Sequence, residues 1–395
     1  MIKNVLILCL LVFGINNAQN LNSSDIRNLK KCSNELKLKY WEKNWSKINS
    51  QIKSKQLVLL GECNHGSKEI FYLKNNLIKY LKENHDFQVV LFESGLAEMI
   101  SYYDNDKLPV SELKTAWQSH EFKELLSYVK KNDMEVAGFD ILVTGKSFKN
   151  RIDSIKGINS DIELEFKTIT TALQNIKKDN SENIKKALAL IGVYFSIKER
   201  IQGHTKISKL TQRGIENRVS ALKSLIKYQK DKDFKGKINR RDSLMASNIN
   251  WLMKYIYANQ KAIVYTHNIH DSKYNENLQM MGEILKLDWK QKMFSIGSFA
   301  QSGNYVDYTG KPKIISPIKT DNKFLDLKEV ISNSPYEYSY LDTTNKSNNW
   351  MHKTILINDT FIDTKNSNFM LLSENFDGLI FLKKVSPPNF IIDDF

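Results

Sequence analysis

Four short apolar runs in this chain each stop at a carboxylate or a histidine, and that recurrence constrains the fold more than any other feature. Leu57 to Leu60 stops at Gly61 and gives way at once to Glu62, Cys63, Asn64, His65 and Gly66, before an amphipathic run from Ser67. Gln88 to Phe92 ends in Glu93, Ser94 and Gly95, and Met134 to Phe139 ends in Asp140. Lys261 to Tyr265 ends in Thr266, His267, Asn268, Ile269 and His270. Short apolar runs bounded by turn residues, with helical spacing between them, predict buried parallel strands joined by helices. Ligands bind at the carboxyl ends of such strands. If the four strands are neighbours, Glu62, His65, Glu93, Asp140, His267 and His270 share one rim. One such residue alone is as readily a helix cap as a reactant. Repetition at the same place in four strands points to chemistry.

The segments between the runs read as helices. Ser67 to Lys82 predicts one, with Ser67 as cap and Ile70, Phe71, Leu73, Leu77 and Leu81 near one face. Leu21 to Ser50 is polar and helical in pattern, with Trp41 and Trp45 as packing residues, and Ala97 to Val129 reads as mostly helical, interrupted at Leu108 and Pro109. Asn239 to Tyr257 predicts a helix with Arg240, Arg241 and Asp242 at its start and a core stripe of Met245, Ile249, Leu252, Met253 and Ile256. An arginine there can reach an acidic rim and keep its carboxylates ionised. Met293 to Ala300 suggests a further strand, and Lys353 to Ile357 and Leu379 to Leu382 are shorter apolar runs. With no repeat or long linker, the expectation is an α/β fold: a central, mostly parallel sheet flanked by helices, carrying an inserted helical lobe at 141–241.

That lobe holds 23 Lys and Arg against 10 Asp and Glu, a net of +13 out of the chain's +14. Its cations lie between helically spaced apolar residues, as on solvated helices. A surface for acidic partners is the alternative, but no nucleic-acid module accompanies it. Residues 1–18 have a basic Lys3, an apolar run from Val5 to Ile15 and a small Ala18, the pattern of a signal peptide. No later stretch is apolar enough to span a membrane. The expectation is an exported protein, periplasmic or secreted, whose mature chain runs from 19 to 395. Cys32 and Cys63 then remain, too few for a disulfide scaffold.

Several chemistries find no support. The nucleophile elbow G-x-S-x-G is absent, and Gly61 to Gly66 has neither the lysine of a P-loop nor dinucleotide spacing. Glu62-x-x-His65 lies in a turn rather than on a helix face, unlike the di-iron motif. Three readings stay open: a metal site from His65, His267, His270 and a carboxylate; a Cys63 thiol with His65; or water activated by a histidine that a carboxylate holds. The last requires no cofactor and uses every part of the rim.

Gly61-Glu62-Cys63-Asn64-His65-Gly66, Phe92-Glu93-Ser94-Gly95, Arg241-Asp242-x-x-Met245-Ala246-x-Asn248 and His267-Asn268-x-His270 together resemble the erythromycin esterase family in order and approximate spacing. The resemblance covers most of the mature chain. It implies a helical lobe over the cleft and metal-independent hydrolysis of a macrolide lactone, hence antibiotic resistance as a role. By position, His65 would be the general base, supported by Glu62 and Glu93. His267 would help place the water or the carbonyl, His270 would stand close by, and Arg241, Asp242 and Asp140 would support the site. The chain departs from the family pattern at Cys63, Asn64 and Lys68, and at Ile269, whose bulk is expected to narrow the cleft or turn His270. A metal-dependent hydrolase on the same residues and a ligand-binding relative without catalysis are the alternatives.

Overall fold

The computed structural model describes residues 21–39, 43–100, 110–142, 147–153, 155, 162–201, 204–315, 325–357 and 369–391. The expected signal peptide, Trp41 and the Leu108–Pro109 interruption lie outside them. Seven strands build the main sheet around the site: β1 (Leu57–Leu60), β2 (Phe87–Gly95), β3 (Glu135–Asp140), β4 (Lys261–Tyr265), β5 (Met293–Val306), β6 (Tyr338–Asp342) and β7 (Gly378–Val385). They run in the order β6-β7-β5-β1-β4-β2-β3, with the short strand Asn34–Glu35 beyond β6 and Pro312–Ile314 paired to β5. Every pairing from β7 to β3 is parallel, and β6 is antiparallel to β7. The four runs singled out above are thus adjacent, as β1-β4-β2-β3.

Alternation along the strands divides the core in two. Leu57, Leu59, Val89, Leu91, Ala262 and Val264 join one buried cluster with the inserted helices. Val58, Leu60, Val90, Phe92, Ile263 and Tyr265 join the other, with α1 (Lys68–His85) and α2 (His120–Lys131). Both faces of a parallel sheet are covered in this way, which is why its strands read as continuous apolar runs.

Between β3 and β4 the chain forms α3 (Ile162–Gln174), α4 (Ser181–Arg200), α5 (Lys206–Asp231) and α6 (Phe234–Tyr255). Helix α6 begins a turn earlier than its apolar stripe suggests, because the Asp233 side chain caps the Gly236 amide at 2.8 Å. Arg241 and Asp242 therefore lie two turns inside the helix, where their direction is fixed. The lobe is anchored over the strand ends by buried amides: Asn217 donates to the Asp140 carbonyl at 3.1 Å and Asn248 to that of Phe139 at 2.8 Å.

Two expectations need correction. Among the described residues, Ala97 to Val129 is α-helical only from His120, and Glu98–Ile100, Val110–Glu112 and Thr115–Trp117 are single 3₁₀ turns. Leu21 to Ser50 holds one helix of length, Ser23–Cys32, and a buried Trp45. No helix among the described residues is long and apolar enough to cross a membrane.

Candidate functional site

The turn after β1 is built by close backbone approach. A Cβ on Gly61 would lie 2.3 Å from Asn268 Oδ1, and one on Gly66 would lie 2.6 Å from the Val306 carbonyl oxygen. Only glycine fits at either place. Between them Asn64 accepts from the Gly66 amide at 3.3 Å and from the Ser67 hydroxyl at 2.6 Å. Ser67 therefore stands at the N-cap of α1 without capping it through its side chain. Its hydroxyl is spent on holding the turn.

Glu62, fully buried, accepts from three directions. His65 Nδ1 lies 2.9 Å from Oε1, Trp117 Nε1 donates to the same oxygen at 3.1 Å, and Lys74 Nζ donates to Oε2 at 2.9 Å. With Nδ1–H donated to the carboxylate, His65 keeps its Nε2 lone pair for another proton. Lys74 is buried on the inner face of α1, with its ammonium 3.4 Å from the centre of the Tyr265 ring. Burial lowers its pKa to about 8 against the opposing pull of Glu62.

Glu93 is the hub of the rim. Its Oε1 accepts from Lys114 and, at 3.2 Å, from Arg241 Nη2; its Oε2 accepts from the Thr266 hydroxyl at 2.8 Å and the His267 amide at 2.9 Å. Burial alone would raise its pKa, but Lys114, His270, His65 and Arg241 together hold it well below the usual carboxylate range. Asp140 behaves alike: burial raises it, and the Arg241 guanidinium outweighs burial. Arg241 grips Asp140 with two nitrogens, at 3.1 and 2.6 Å.

The two remaining histidines differ. His267 Nε2 lies 3.1 Å from the Cys63 carbonyl, and its Nδ1 accepts from the Ile269 amide at 3.3 Å. Both nitrogens are thereby committed to backbone, and burial, reinforced by His65, pushes its pKa well down. His267 caps the short helix α7 (Asn268–Asp271), and its ring lies 4.8 Å from that of His65, tilted by 55°. His270 Nδ1 lies 2.7 Å from Asp242 Oδ1, and its Nε2 lies 3.2 Å from Arg241 Nη1. All eight residues singled out from the sequence thus meet at one rim.

Lys74, Lys114, Trp117 and Thr266 join them without having been singled out. Among the described residues, no three His, Cys, Asp or Glu side chains are disposed to hold a metal ion. No disulfide joins Cys32 to Cys63, and Cys63 is buried. Ile269 is partly buried and packs against the cluster that holds Phe299, Leu341 and Phe376.

The strand-end rim and its helical roof define an α/β enzyme. The erythromycin esterase family profile matches residues 83–385. YbfO of Bacillus subtilis strain 168, a candidate hydrolase, is 26% identical over 389 residues, covering 86% of each chain. Among solved structures, a Bacillus cereus protein superposes with a TM-score of 0.75 at 20% identity, covering 94% of this chain and all of the other. A succinoglycan biosynthesis protein gives 0.74 at 20% identity over 95% and 100%. A mutant of erythromycin esterase EreC in its open conformation gives 0.64 at 15% identity over 91% and 99%. The chain belongs to the erythromycin esterase family, and with it to the hydrolases that act on small molecules. The family match begins after the Glu62–His65 turn.

Proposed function

We propose that this protein hydrolyses a carboxylic ester, with a macrolide lactone as the first candidate, using water activated by His65 and no metal. One observation carries the reading: His65 is held through Nδ1 by a buried Glu62, leaving Nε2 to take a proton from water. Water then adds to the ester carbonyl as its proton passes to Nε2. Collapse of the tetrahedral intermediate expels the alcohol oxygen, which recovers that proton. Glu62 steadies the imidazolium in between. Glu93 and Asp140 hold Arg241 in place; His267 acts through packing and the backbone rather than through a free nitrogen. The apolar run ahead of Ala18 supports export to the periplasm or medium, which N-terminal sequencing of the fractionated protein checks.

The decisive experiment is mass spectrometry of a macrolide panel incubated with the mature protein, alongside EDTA-treated and His65→Ala samples. The expected result is a gain of one water that survives EDTA and disappears in the variant, a loss of at least about 100-fold. Turnover retained by His65→Ala removes the assignment of the base; turnover lost to EDTA and restored by a divalent metal removes the metal-free mechanism.

A further inference from the structure

Three cations stand among the rim carboxylates, and they differ in how firmly each is held. Lys74 is wholly buried, bonded to Glu62 and to the Thr266 carbonyl at 3.2 Å, and pressed on the Tyr265 ring. Arg241 is fixed bidentately by Asp140 and bonded again to Glu93. Among the described residues Lys114 has one hydrogen-bond partner, Glu93 Oε1, and its ammonium, on a flexible four-carbon stem, lies 5.4 Å from the centre of the Trp117 ring. Its side chain is 9% exposed, between the 1% of Lys74 and the 25% of Arg241, so it is the bonding and not the exposure that sets it apart. Lys114 is the foremost of the charges that keep Glu93 ionised, yet without it the carboxylate still keeps Arg241 on Oε1, and Thr266 and the His267 amide on Oε2. Lys114 is the cation of the three that can leave its partner without stranding a buried charge.

Ester hydrolysis needs a donor for the oxygen on which negative charge develops, and neither His65 nor Glu62 supplies it. Arg241 is occupied by Asp140, Glu93 and His270, and both nitrogens of His267 are bonded to backbone. We propose that Lys114 is a catalytic residue that turns from Glu93 to the substrate and binds the carbonyl oxygen as it becomes an oxyanion. The inference rests on the esterase reading. As the water oxygen bonds to the carbonyl carbon and its proton passes to His65, the carbonyl π pair moves onto the oxygen facing the Lys114 ammonium. When the pair returns, the ester C–O bond breaks and the leaving oxygen takes the proton from His65. Lys114 remains an ammonium throughout.

The test compares wild type with Lys114→Met on erythromycin and on p-nitrophenyl butyrate, and measures binding of an alkyl phosphonate that mimics the tetrahedral intermediate. The expected result is a fall in kcat of about 100-fold or more, a matching loss of phosphonate affinity, and little change in KM or melting temperature. Lys114→Arg, which keeps a cationic donor, should recover part of the rate. A kcat within threefold of wild type overturns the proposal and leaves the esterase reading standing, as does a rise in KM at unchanged kcat. If Lys114→Met does not fold, Lys114→Gln, which keeps a hydrogen bond to Glu93, decides by the same criteria. If wild type turns over neither these esters nor any macrolide, the esterase reading falls and the proposal falls with it.

Discussion

Two carboxylate–imidazole pairs face each other across this rim, and they do different things with the same parts. In each, a fully buried carboxylate faces Nδ1 of a histidine, at 2.9 Å for Glu62–His65 and 2.7 Å for Asp242–His270. The contrast lies at the other nitrogen. Among the described residues His65 Nε2 makes no hydrogen bond, whereas His270 Nε2 faces Arg241 at 3.2 Å and Glu93 at 3.6 Å. The carboxylates differ too. Both oxygens of Glu62 are bonded, while Asp242 accepts on Oδ1 from His270 and the Met281 amide and leaves Oδ2 buried, without a hydrogen-bond partner among the described residues. A carboxylate behind an imidazole is thus insufficient to make a base. The nitrogen on the far side must be open to substrate, and of the two histidines it is His65 that offers one among the described residues.

The largest effect expected from this contrast is in the carboxylates. Glu62→Gln removes the charge facing Lys74 and His65 together, and kcat should fall about 100-fold or more. Asp242→Asn keeps a carbonyl for His270, and the loss should stay near tenfold, the size of a positional effect. Steady-state kinetics on one ester compares them; equal losses would mean that both histidines carry protons.

His270→Asn should cost less than about tenfold and appear in KM more than in kcat, because His270 orders Arg241 rather than the attacking water. His65→Asn should leave no measurable turnover. A fall in kcat as large in the His270 variant would transfer the role of base to the second pair.

The rim was legible because apolar runs end where reactive residues begin, so the order of strands could be unknown and its consequence still read. Arg241 was legible as an arginine able to reach carboxylates, although the Asp233 cap that starts its helix lies ahead of the apolar stripe. Lys74 carries a signal in retrospect: it follows Ile70 by four and Phe71 by three, and so falls on the stripe that α1 buries. A lysine at a core position asks for a partner. Lys114 and Trp117 carry none, because isolated 3₁₀ turns have no apolar period to break. The commitment of His267 was hidden as well, since it depends on the carbonyl of Cys63, 204 residues away in the chain.

The smallest expected effect is on stability, and it separates the buried charges near the two pairs. Lys74 supports Glu62, and Asp271 follows His270 directly; burial lowers the first from 10.5 to about 8 and raises the second from 3.8 to about 8. Between about 8 and 10.5 the unfolded chain holds a proton on Lys74 that the folded chain has released, so this group makes stability rise with pH. Between 3.8 and about 8 the folded chain holds a proton on Asp271 that the unfolded chain has lost, so this group makes stability fall as pH rises. Each slope approaches about 1.4 kcal/mol per pH unit at most. Asp271→Asn keeps the acceptor for Ser295, bonded at 2.6 Å, and replaces an oxygen with no hydrogen-bond partner. It should therefore raise stability at pH 8 and leave it unchanged near pH 4, as denaturant titrations at the two pH values can show. Lys74→Met should remove the alkaline rise while exposing Glu62 to an unbalanced burial cost. Because Lys74 and Asp271 also feel each other's charge, the double variant should depart from the sum of the single ones. Strict additivity would mean that the two pairs are electrostatically separate, and that the rim works as two sites rather than one.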